Sequence, residues 1–221
     1  MVIMLDMTLL IAALAMACTL QPWRLLGTPQ RTRAAAPQDA APLWTPLLAT
    51  LVLLPWLWAL PTLHQLPLQL PWSGAGLVLL CLGWPLAVPA LCAVGTLAWL
   101  LSPALSATEA LRLTVWQGLV PASLALLWGL LLRRWLGAHV FVYILGRGFV
   151  GTLLSLFAAA LLAAALGKQL PGVQPALGHM ARWLMAWGDA MVTGMLCAVF
   201  VAYRPQWLAT WSDTLYLNAQ K

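Results

Sequence analysis

Arg182–Leu208, RWLMAWGDAMVTGMLCAVFVAYRPQWL, is the stretch that decides the class of fold. From Trp183 to Tyr203 its only charged residue is Asp189, and at ~20 residues it is long enough to cross a hydrocarbon core of about 30 Å as one helix. Arg204-Pro205 ends it. A carboxylate at membrane depth costs roughly 2.5–3.5 kcal/mol on insertion scales, so an acid there turns to the protein interior. Two readings of Asp189 are open: a structural hydrogen bond to a neighbouring helix, or a functional task.

Composition puts the whole chain in the same class. Of 221 residues 63% are hydrophobic and 7% charged, with a mean hydropathy of +0.90, whereas a soluble domain is about a quarter charged. The expected fold is all-α, a polytopic integral membrane protein forming a single transmembrane domain over 1–221. The formal charge of +6 comes from basic residues spread over loops between apolar runs, which suits membrane orientation and gives no reason to expect a nucleic-acid partner. Cys18, Cys81, Cys92 and Cys197 all lie within apolar runs and form no CxxC, so neither a disulfide framework nor a zinc knuckle is expected. The first apolar run lacks a basic leader and a small-residue cleavage site, and reads as a retained helix.

Helices are expected at 4–20, 44–63, 74–84, 86–101, 111–132, 139–166 and 183–203. The polar connection 23–42 carries Arg24, Arg31 and Arg33 and is placed in the cytoplasm. The run from Ser73 to Leu101 is either one kinked helix or two helices broken near Gly83-Trp84-Pro85. Charge parity chooses the break. With it, and the N-terminus outside, the cytoplasmic side holds Arg24, Arg31, Arg33, Arg133, Arg134, Arg204 and Lys221, while the external side holds Arg112, Lys168 and Arg182. Without it the imbalance shrinks. The expectation is therefore about seven transmembrane helices, N-out and C-in, in the inner (cytoplasmic) membrane of a bacterium.

Gly146, Gly148 and Gly151 have the G-x-G-x-x-G spacing of a dinucleotide-binding turn, but the segment is of membrane length and no acidic residue follows at the right distance. Small residues that admit close helix contact are the better account, with Gly148 and Gly151 on one helical face. Arg147 has two open placements: an intramembrane ion pair with Asp189, or a side chain reaching alone to the cytoplasmic interface. Met185, Met191 and Met195 cluster around Asp189 along the last helix, either as soft-metal thioethers or as apolar filler. His64 and His179 read as interfacial, and His139, at a helix start beside Arg134, as a cap or stacking residue. No Walker loop, GxSxG, H-x-x-x-H or paired catalytic carboxylates occur, so an enzyme is not expected, and any ATP-driven step would need partner subunits.

WGDAMVTGMLCAVFVAYRPQWL resembles the acidic-residue, Thr-Gly, Arg-Pro pattern that closes the CbiM family, the substrate-capture membrane subunits of energy-coupling-factor transporters for cobalt and nickel. LSATEALRLTVWQGLVPASLALLWGLLLRR is similar to that family's central helix, and SGAGLVLLCLGWPLAVPAL to its glycine-rich broken pair. MVIMLD resembles its opening, and AHVFVYILGRGFVG with GWPLAV resembles a bacterial CbiM-like branch of energy-coupling-factor permeases. The resemblance implies transition-metal ion uptake alongside a transmembrane coupling subunit and ATPases. The chain departs from the family where it would bind metal. Val2 stands in place of the histidine, the external segment reads Pro71-Trp72-Ser73-Gly74 without one, and the fifth helix lacks Asn-x-x-x-Met. A rebuilt site would draw on Met1, Met4, Asp6, Met185 and Asp189, a donor set better matched to Cu(I) than to Co(II) or Ni(II). A same-fold permease for a small organic ligand, and a non-transporting subunit of a larger membrane complex, are the other readings.

Overall fold

The computed structural model describes residues 2–27, 43–64, 72–137, 139–168, 173, 177–212 and 216. Met1, Lys221 and residues 28–42 of the expected cytoplasmic connection lie outside them. Regular structure among the described residues is entirely helical: α1 Val2–Thr19, α2 Trp23–Gly27, α3 Trp44–Leu63, α4 Ala75–Leu82, α5 Trp84–Leu101, α6 Ala107–Leu136, α7 Val142–Ala165 and α8 Gly178–Tyr203. Five of these, α3 and α5 to α8, are long and apolar enough to cross a membrane. The apolar part of α1, Ile3–Thr19, is shorter. The lipid-facing character is plain from large apolar side chains left uncovered, such as Trp135 and Phe141, each 77% exposed.

Local chemistry explains where the boundaries depart from expectation. Helix α6 begins before residue 111 because Ser106 and Glu109 form a capping box: the Ser106 hydroxyl accepts the Glu109 N–H, and Glu109 accepts the Ser106 N–H at 3.0 Å. Helix α8 begins at Gly178 and not at 183, since no breaker separates Gly178 from Arg182. Asp189 therefore lies about 16 Å along its helix, deeper than the expected start would put it. The expected break falls at Gly83, whose φ of +71° suits glycine and separates α4 from α5. Helix α4 is only eight residues, roughly 12 Å, well short of the full span expected over 74–84.

Two long helices contain π-type segments, Thr114–Leu119 in α6 and Val142–Gly151 in α7. Such widened turns leave carbonyls for other donors. Gln117 O accepts the Ser73 hydroxyl, and Gly146 O accepts Trp128 Nε1–H at 3.0 Å. The altered winding also separates the glycines expected on one face. A Cβ at Gly148 would lie 3.2 Å from Cys197 on α8, whereas one at Gly151 would lie 2.8 Å from Trp128 on α6.

Side-chain links define two ends of the bundle. At one, the Thr62 and Ser102 hydroxyls lie 2.8 Å apart, so α3 and α5 finish together and run parallel. Residues 72–82 lead the chain on to Gly83. At the other, the segment after α8 folds onto the end of α4: Ala209 N–H donates to Cys81 O at 3.0 Å, and Thr210 N–H and Oγ–H both donate to Leu80 O. Tyr143 at the start of α7 bonds Thr210 at 2.7 Å and meets Trp211 and Tyr216 edge-on. The core centres on α4 and α5, where Ala87, Val88, Leu91 and Val94 are fully buried.

Glycines on α8 supply a test of the helix contacts. A Cβ at Gly194 would lie 3.1 Å from Phe149 Cβ, while one at Gly188 would meet nothing within 4 Å. Gly194→Val is expected to destabilise by about 1–3 kcal/mol, and Gly188→Ala to leave thermal unfolding in detergent unchanged or slightly raised. Equal effects of the two would contradict the α7–α8 contact.

Candidate functional site

Asp189 lies on α8, 3% exposed, facing the point where the chain enters α4. Its Oδ2 accepts the backbone N–H of Ser73 at 2.8 Å and of Gly74 at 3.1 Å, and its Oδ1 accepts the Thr193 hydroxyl at 3.3 Å. The first N–H groups of a helix have no partner within it and carry partial positive charge, so a carboxylate there offsets part of its own desolvation. Ser73 closes the remaining gaps. Its hydroxyl donates to Gln117 O and accepts Ala75 N–H at 3.2 Å, while its carbonyl accepts Trp58 Nε1–H at 3.2 Å. Gly74 has φ +64°, a backbone conformation that calls for glycine.

This geometry replaces the expected Arg147–Asp189 pair. Arg147 lies beside Gly129 and 5.7 Å from the Tyr143 ring centroid, one turn back towards the start of α7. Helical side chains lean towards the N-terminus of their own helix, which carries the guanidinium away from Asp189. Among the described residues the single salt bridge is Lys168–Asp6, buried and bidentate, with Nζ to Oδ2 at 2.6 Å. Trp116 Nε1–H donates to Asp6 Oδ1 at 2.8 Å, and Lys168 Nζ stands 4.7 Å over the Trp116 ring.

The described members of the expected metal constellation, Met4, Asp6, Met185 and Asp189, are not gathered at one point, and Met1 lies outside the described residues. Asp6 is held by Lys168 and Trp116, and Met4 is 71% exposed on the outer surface of α1. Met191 and Met195 are likewise exposed, at 50% and 65%. No group of three or more His, Cys, Asp or Glu side chains gathers among the described residues. Met185 and Asp189 do share a surface: both line a cavity of about 540 Å³ at the Thr62–Ser102 end of the bundle. Trp58, Trp72 and Trp116 form apolar walls, and Glu109, Arg112, Lys168 and Arg182 are the charged residues that join Asp189 around it. Its size falls in the usual range for small-molecule sites, about 300–1,000 Å³. Sequence reasoning missed Trp72, Arg112, Lys168 and Arg182 as site residues because each lies in or near a connection and reads as an interfacial anchor. Asp6, the one acid of the first helix, was the available signal, since a buried carboxylate needs a counter-charge.

No family model, no curated protein and no solved structure matches the chain.

The buried pair and the Asp189 bonds yield separate expectations. Lys168→Met strands Asp6 in the interior and is expected to cost about 3–5 kcal/mol, whereas Lys168→Met with Asp6→Leu restores most of it. A double mutant no more stable than the worse single one, by denaturant unfolding in detergent, would contradict the pairing. Asp189→Asn keeps one acceptor for the Ser73 and Gly74 N–H groups, while Asp189→Leu keeps none. The first is expected to unfold at a distinctly higher temperature than the second.

Proposed function

We propose that the chain is the membrane-embedded substrate-capture subunit of a permease, of the CbiM-like kind its sequence patches resemble, and that the ligand is held in the cavity beside Asp189. The observation that carries this reading is the interrupted stretch leading into α4, whose N-terminus is fixed by Asp189 at the wall of a cavity of about 540 Å³. Transporters build midplane sites from such half-helices, because irregular backbone is tolerated in a membrane only where it borders protein or a cavity. A subunit with a purely structural place in a complex has no need of a cavity of this size.

The proposal includes seven crossings: α1, α3, the interrupted stretch 64–82, α5, α6, α7 and α8. It puts the cavity end outside. Arg112, Lys168 and Arg182 belong to that end, while Arg133, Arg134 and Arg204, with Arg24, Arg31, Arg33 and Lys221, belong to the other, and an excess of basic residues marks the cytoplasmic face. The bacterial inner membrane is the proposed location. Ligand would enter from outside, and the contacts of Ala209 and Thr210 with α4 close the cytoplasmic end in this conformation. A small organic ligand suits the site better than a transition-metal ion, because the carboxylates expected to hold metal are committed to Lys168, Ser73 and Gly74. Release would require a transmembrane coupling subunit and ATPases as partners, since the sequence has no nucleotide-binding loop of its own.

Thiol labelling in whole cells tests the proposal, with Cys18, Cys81, Cys92 and Cys197 replaced. Pro103→Cys and Gly167→Cys should react with a membrane-impermeant maleimide, and Gly137→Cys only after permeabilisation. Ala160→Cys, at the cavity wall, should react with a small water-soluble thiosulfonate from outside. The reverse pattern would overturn the orientation, and an inert Ala160→Cys the capture site.

A further inference from the structure

Hydrogen-bond donors with capacity left open stand at the cavity wall. Its carboxylates are partly engaged: Asp189 takes three donors, and Glu109 Oε2, exposed at the rim, takes the Ser106 N–H and hydroxyl. Lys168 is neutralised by Asp6. The donors are not matched. Arg182 is 8% exposed, gives one Nη2–H to Lys168 O at 2.8 Å, and has no carboxylate partner among the described residues. Arg112 is half-buried, with Glu109 one turn away on α6 but no hydrogen bond to it. Trp72 Nε1–H is buried with no acceptor among the described residues. A buried guanidinium and indole N–H left this way are costly, and an acceptor brought in by a ligand lowers the cost of both.

The rest of the wall restricts what carries that acceptor. Trp116 and Leu156 offer apolar surface, and Lys168 with its Asp6 partner adds no net charge. From these donors and walls we infer that the captured ligand is a small organic carboxylate with a flat apolar body, its carboxylate taken by Arg182, Arg112 and Trp72 and its body lying against Trp116 and Leu156. A guanidinium matches a carboxylate two bonds at a time and with opposite charge. This rests on the cavity being the capture site and names the class of molecule it takes.

Three probes that share one ring system separate the possibilities: indole-3-acetate (anion), tryptamine (cation) and 3-methylindole (neutral). They are titrated calorimetrically into the full chain purified in neutral maltoside. Indole-3-acetate is expected to bind at least about tenfold more tightly than either of the others, the equivalent of losing one charge-assisted contact. Arg182→Gln and Arg112→Gln should each weaken it about tenfold or more, and Arg182→Lys should keep part of the affinity. If Arg182→Gln does not fold, Arg112→Gln decides. Equal or tighter binding of tryptamine, unchanged indole-3-acetate affinity in a folded Arg variant, or binding only of added phosphatidylglycerol would overturn the carboxylate inference. All three leave the capture reading standing, because that reading falls only if Ala160→Cys is inert from outside.

Discussion

Inside a bilayer no water is present to satisfy a peptide group, so every backbone N–H and C=O must find a partner within the protein. The stretch leading into α4 is where this chain faces that constraint most severely. It leaves helical geometry at Trp72, Ser73 and Gly74 and again at Gly83. The two Asp189–N–H bonds, the Trp58 and Gln117 contacts of Ser73, and the Ala209 and Thr210 bonds to the last carbonyls of α4 together answer it. The π-type turn in α6 and the left-handed Gly74 have their explanation here, since each presents a backbone group to this junction.

Much of the architecture was legible in the sequence, and the limits of that legibility have physical causes. Helical class and membrane burial follow from apolar runs of membrane length, and the break follows from Gly83 followed by Pro85. Asp189 was identifiable as a residue with a partner to find. Which partner was not, because the groups it binds are backbone N–H groups, which every non-proline residue has and which leave no side-chain signature. Arg147 was the natural candidate by charge, yet the direction in which a helical side chain leans took it the other way. The Asp6–Lys168 pair was hidden by position. Lys168 follows the end of α7 and reads as a loop cation, but its long stem reaches inward over the Trp116 ring. The π-type turns were illegible for a different reason, since widened winding is fixed by tertiary contacts rather than by composition.

The same observations bear on the resemblance to metal-capture subunits. Val2 stands where that family has histidine, and Asp6, the nearest acid, is bound to an ammonium group. A carboxylate so paired already has its counter-charge, and the guanidinium groups of Arg112 and Arg182 in the cavity lining would repel a metal ion. Sequence departure and electrostatic arrangement both favour the proposed organic ligand over a metal ion.

Helix α4 also imposes an order on the making of this protein. Its N-terminal amides are held by a residue 116 positions later than Ser73, and its C-terminal Leu80 carbonyl by one 130 positions later. A ribosome feeding this chain into the bilayer presents α4 long before either partner exists. Until α8 and the segment after it emerge, the short helix has unmatched polar groups at both ends and must wait at the translocon or against a chaperone. The segment that locks the centre is thus synthesised well after the helix it locks, which makes closure of the bundle a late event.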